Sequence, residues 1–142
     1  MFDTLYSQIG GVFAVAVLIF ALWKGDEPER AGAIAYAVAW IAAMLLQSGG
    51  GYYAIQPAIF AIDVIMLGVF VWISYKAKRA WSVWATAFQL IAVLGHIVLW
   101  LDMRPPANTY WTVLVIASYG TLVALAIGTF WAWQERRAAG LE

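Results

Sequence analysis

Five apolar stretches, each close to the roughly 17 to 25 residues that a membrane-crossing helix needs, divide this chain and leave only short polar links between them. They run Leu5–Trp23, Ala31–Gln47, Pro57–Tyr75, Trp81–Leu101 and Tyr110–Trp133. With no water in the bilayer core, every backbone N–H and C=O must find its partner inside the chain, and a helix achieves this within one segment. The expected fold is therefore all-α, an integral membrane bundle of five transmembrane helices forming a single domain over residues 1–142. Only 11% of the residues are charged, against about 25% in a soluble domain. A soluble fold of this size could not cover so much apolar surface.

The fourth stretch, WSVWATAFQLIAVLGHIVLWL, carries the single histidine of the chain. At helical spacing Ser82, Ala85, Gln89, Ala92 and His96 fall on one stripe, while Val83, Leu90, Leu94, Ile97 and Leu101 fall on the other. The first stripe is expected to face protein and the second lipid. The second stretch repeats Ala31, Ala35, Ala39 and Ala43 at every fourth position. Small residues at this spacing let helix backbones approach closely, so the row is read as helix packing, within the chain or between copies. Trp40 beside it is expected to fill a packing gap, and Gly10-Gly11 marks close packing or a bend in the first span.

An ionisable group within a span costs about 3 kcal/mol to insert and is by default a candidate for function. Asp63 in the third stretch is that group. A short link joins the third and fourth spans, which makes them antiparallel neighbours. Counted from that link, Asp63 and His96 stand roughly 18 and 22 Å high at 1.5 Å per residue, less than one helical turn apart. They can meet if both polar faces point inward, with Gln89 and Gln56 as further polar neighbours of the same site. Such a pair can relay a proton, bind a polar headgroup, or simply pin two helices together.

The links carry their own expectations. Lys24–Arg30 (KGDEPER) reads as a solvated turn, and Ser48–Gln56, with three glycines, as a helix-breaking turn. Pro57 reads as the first residue of the third helix and Asn108 as an N-cap of the fifth, while the tail QERRAAGLE reads as fraying. Placing links alternately on two sides puts Lys24, Arg30, Lys76, Lys78, Arg79, Arg136 and Arg137 on one side, and Arg104 alone on the other. By the positive-inside rule the N-terminus is expected outside and the C-terminus in the cytoplasm. Trp23, Trp72, Trp81, Trp100, Trp111, Trp131 and Trp133 fall near span ends, as an aromatic belt would place them.

Several functions are disfavoured by what the chain contains. Net charge is zero, so there is no basic field for nucleic acid. With no cysteine and one histidine, thiolate chemistry is excluded and a multi-histidine metal or haem site cannot be built from one copy. No set of catalytic residues, metal site or cofactor is read from the sequence. The tract WSVWATAFQLIAVLGH resembles segments of small multi-span bacterial inner-membrane proteins of uncharacterised function. That resemblance covers one helix and implies a bacterial inner-membrane location without implying an activity. The expected function is a non-catalytic module, an accessory subunit or protomer of a larger assembly, with membrane lipids, further copies or other membrane subunits as partners and a lipid or apolar ligand bound. The competing expectation is a small proton-coupled carrier or channel that uses Asp63 and His96.

Overall fold

The computed structural model describes residues 5–49, 52–101 and 107–142, and these form five helices. They are α1 (Leu5–Lys24), α2 (Glu27–Gly49), α3 (Tyr52–Ala77), α4 (Ala80–Trp100) and α5 (Ala107–Ala138). All five are long and apolar enough to cross a membrane. Each helix packs on its neighbour in sequence, α5 returns to α1, and α2 also touches α5 across the ring. Lipid and protein interior are equally apolar, so helices here are sorted by close packing and hydrogen bonding rather than by hydrophobicity. Val12, Ile19, Val38, Ile65 and Ile116 accordingly point outward. The interior is built from Ala14, Val17, Ala21, Ala33, Met66, Phe70, Ile73, Ala85, Leu122 and Leu125.

Four of the five helices run past the spans read from sequence, while α4 is shifted by one residue. Within a membrane a helix continues until its terminal groups can be satisfied. α3 starts at Tyr52 and carries Pro57 inside it, so Pro57 is not the first helical residue. Ser48 and Gly49 belong to α2, and the segment through Gln56 belongs to α3, which corrects the expected long turn. Gly50 and Gly51 lie outside the described residues. Asn108 is inside α5 and does not cap it; its carbonyl accepts the Thr112 hydroxyl at 2.7 Å.

The tail does not fray at Trp133, because α5 continues to Ala138. Gly140 then takes a left-handed φ of 72°, the Gly140 N–H bonds the Arg137 carbonyl at 3.1 Å, and the Leu141 N–H bonds that of Arg136 at 3.0 Å. These are the paired bonds of a Schellman closure, which needs a residue without Cβ strain at that position. The α3–α4 link closes in a related way. Lys78 sits at φ 52° with its N–H on the Ser74 carbonyl at 3.1 Å, and Arg79 turns extended to begin α4.

Lys24–Arg30 is more than a solvated turn. Glu29 is fully buried, and its carboxylate accepts the Trp81 indole N–H at 2.7 Å and the Asp26 backbone N–H at 3.0 Å. The second bond is one half of a capping box, from the third helical residue back to the N-cap. The Asp26 carboxylate meanwhile receives Arg79 at 3.0 Å and Arg136, so the α1–α2 link, the α3–α4 link and the end of α5 are tied at one point. Arg136 also donates to the Lys24 carbonyl at 2.5 Å, and Glu142 reaches Lys24 and Arg136, both at 3.5 Å.

Trp81 is buried, so it is not part of the aromatic belt, whereas Trp23, Trp72, Trp100, Trp111 and Trp131 do face outward near helix ends. Its ring lies between two glycines. A Cβ on Gly32 of α2 would stand 2.8 Å from the indole, and one on Gly128 of α5 only 2.2 Å from it. Phe88 uses Gly120 in the same way, and Tyr119 uses Gly10, so Gly10 serves close packing.

The expected consequence is a contrast between two glycines. Gly128→Ala drives a methyl into the Trp81 ring and should cost about 1–3 kcal/mol, the usual size of overpacking. Gly68→Ala, where a Cβ meets nothing within 4 Å, should be neutral or stabilising, by up to about 1 kcal/mol of helix propensity. Unfolding titrations in detergent that rank the two in the reverse order would contradict this packing.

Candidate functional site

The stripe on α4 faces inward as its spacing requires: Ser82, Ala85, Gln89, Ala92 and His96 are all buried, and Val83, Leu90, Leu94, Ile97 and Leu101 are all exposed. Its two long polar side chains converge on Asp63. Gln89 donates through Nε2 to Asp63 Oδ1 at 2.9 Å and to the Asp63 carbonyl at 3.2 Å. His96 Nε2 lies 2.9 Å from Asp63 Oδ2. Each carboxylate oxygen thus has its own donor on α4.

One partner was not anticipated. Tyr110, buried in the first turn of α5, places its hydroxyl 2.9 Å from His96 Nδ1. The carboxylate can only accept, so His96 donates to it through Nε2–H. The second ring nitrogen, Nδ1, meets the Tyr110 hydroxyl, which can accept from it or, with the ring neutral, donate to it. The result is a continuous run from Tyr110 through His96 to Asp63, joining α5, α4 and α3. Phe60 lies edge-on to the imidazole with ring centres 6.0 Å apart, and Trp100 lies against Phe60 at 4.6 Å. His96 is 1% exposed and the Asp63 side chain 22%, so the carboxylate is the accessible end of the run. Tyr36 of α2 is hydrogen-bonded to Ser118 of α5.

Gln56 was expected at this site, and its side chain lies outside the described residues. Ser74, also on α3, is remote and pairs with Thr86 at 3.2 Å. On α2, Ala31, Ala35 and Ala39 pack against the core of this same chain and Ala43 is half-buried, as is Trp40. The fully buried edge of that helix is Glu29 and Ala33, so the alanine row flanks the contact and does not centre it. Among the described residues no group of three or more His, Asp or Glu side chains could hold a metal ion.

Chemically, this arrangement can fix a helix triplet or hold and pass a proton. Every buried side-chain nitrogen and oxygen among the described residues has a partner. Asp63→Asn keeps the shape, and its amide can donate to His96 once the ring changes tautomer. It should change stability by less than about 1 kcal/mol, because the shape and the hydrogen bonds are kept while a charge that is costly to bury is removed. His96→Ala opens a cavity and removes one hydrogen bond each from Asp63 and Tyr110, for a loss of about 2–5 kcal/mol. Detergent unfolding in which Asp63→Asn is the more damaging variant would show that the charge itself is required.

Comparison of this chain with protein-family models, with curated proteins and with solved structures finds no match.

Proposed function

We propose that this chain is a non-catalytic, multi-pass module of the bacterial inner membrane, an accessory subunit or protomer of a larger membrane assembly in contact with lipid. The observation that carries the reading is how the interior is used. Among the described residues the long buried polar side chains, Gln89 and His96 on one side and Glu29 on the other, belong to two separate hydrogen-bonded clusters, around Asp63 and around Glu29. Between them Met66, Phe70, Ala85, Leu122 and Leu125 form a packed apolar layer. A solute moving through one copy would have to break that layer, so the outer faces of the helices are the working surface. The N-terminus is outside and the C-terminus cytoplasmic in this reading, supported by the one-sided distribution of Lys and Arg.

A proton-coupled carrier is the second reading. It is favoured by one observation, the unbroken run from Tyr110 to Asp63. Because the run stops at the apolar layer, a carrier would need further copies to complete a path.

The test is made on the chain extracted from its native membrane. Cysteines placed at Gly50 and Gly140 should label from opposite sides with an impermeant reagent, and the native mass should exceed that of one chain with its lipids. A lone chain that acidifies liposomes, and loses that activity on Asp63→Asn, would replace the first reading with the second.

A further inference from the structure

Along the outer face of α5, where it meets α4, runs a cavity of about 750 Å³. Its walls are apolar and face the membrane: Trp84 and Phe88 on one side, Val123, Ile127 and Trp131 on the other. At the end where α4 begins, the mouth of the cavity is lined by Arg79 and Glu135, which pair at 3.1 Å. From Glu135 to Val123 is roughly 18 Å of helix at 1.5 Å per residue. Half of an apolar core about 30 Å thick is a comparable depth. Beyond Val123 the cavity continues towards Ile116 and Tyr6.

We infer that this groove is a site for one zwitterionic, ethanolamine-type phospholipid of the leaflet at the C-terminal end. The charges at its mouth select the headgroup. Such a lipid carries a phosphate and an ammonium a few ångströms apart, and the charged residues lining the mouth are Arg79, which Asp26 also holds at 3.0 Å, and Glu135. The phosphate goes to Arg79. The ammonium goes to Glu135, whose side chain is 65% exposed against 31% for Arg79. An anionic headgroup without an ammonium gains at Arg79 but meets repulsion at Glu135. One of its two acyl chains lies in the groove beneath, covering Trp84 and Trp131, which are 64% and 61% exposed. The inference rests on the membrane-module reading and adds the class of lipid and its place.

The test is native mass spectrometry of the purified chain in detergent, given equal amounts of phosphatidylethanolamine and phosphatidylglycerol. One phosphatidylethanolamine should be retained, at about two- to five-fold over phosphatidylglycerol, the factor expected from one solvent-screened ion pair. Glu135→Gln should keep a bound lipid and lose the preference. Ile127→Trp fills the groove from an exposed position, so it should lose the lipid while the helix content stays normal. Equal retention of the two lipids, or retention unchanged in Ile127→Trp, overturns the site. So does a second copy of the chain held in place of lipid and released by Ile127→Trp. These masses are read on the isolated chain, so they stand or fall separately from whether it joins a larger assembly.

Discussion

The bundle depends on how one indole is seated. Trp81 enters from the start of α4 and passes between Gly32 and Gly128. It then gives its N–H to a carboxylate that has no contact with water. Phe70 of α3 meets the same ring edge-on, with centres 6.5 Å apart. One side chain therefore fixes four of the five helices. In a soluble protein the hydrophobic effect would hold these helices together whatever their detailed fit, but in lipid it cannot. Contact area and satisfied hydrogen bonds must do so, and a large ring laid on bare backbone supplies both. The fifth helix, α1, is joined to this centre by Ala21 in the core and by the Arg136 bond to the Lys24 carbonyl.

Glu29 makes this seat specific. A buried carboxylate without donors would be costly, but here it holds the indole N–H and the backbone N–H that opens α2. The positive end of the α2 dipole lies on the same carboxylate. Asp26, one turn earlier, binds Arg79 and Arg136 and thereby brackets both turns and the α5 terminus. The Asp63 cluster does comparable work near the other end of α4, where it fixes α3 and α5 against His96 and Gln89. α4 thus carries the organising groups of both clusters on one stripe. Trp81, Ala85, Gln89, Ala92 and His96 follow one another at helical spacing. Its outward stripe contributes aliphatic surface to the lipid.

What could be read from the sequence was what depends on local order. Spans follow from apolar length, the α4 stripe from periodicity, and the Asp63–His96 meeting from a short link that forces two helices side by side. Gln89 follows from the same stripe. Tyr110 was missed because it sits beyond the α4–α5 link, where periodicity carries no register from one helix to the next. As a tyrosine at a span end it was also an ordinary interfacial residue. Trp81 was misread because depth along the span says nothing about direction. Its spacing of four from Ala85 was the available signal, since it extends the inward stripe by one turn. The turn Lys24–Arg30 looked solvated because its partners, Arg79 and Arg136, lie 53 and 110 residues from Asp26. Helix ends fell short because the sequence shows where apolar residues stop, whereas a helix stops where its terminal groups are satisfied, as at Gly140.

The central claim is that the Trp81 indole and the Glu29 carboxylate stabilise the bundle as a unit. A double-mutant cycle with Trp81→Phe and Glu29→Leu, read by unfolding in detergent, tests it most directly. Trp81→Phe alone leaves the buried carboxylate with one donor fewer, and Glu29→Leu alone leaves the indole N–H unpaired. The expected result is a double variant less damaged than the sum of the two, with a coupling of about 1–3 kcal/mol. Losses that add to within about 0.5 kcal/mol would contradict the claim, since the two groups would then act independently despite a 2.7 Å contact.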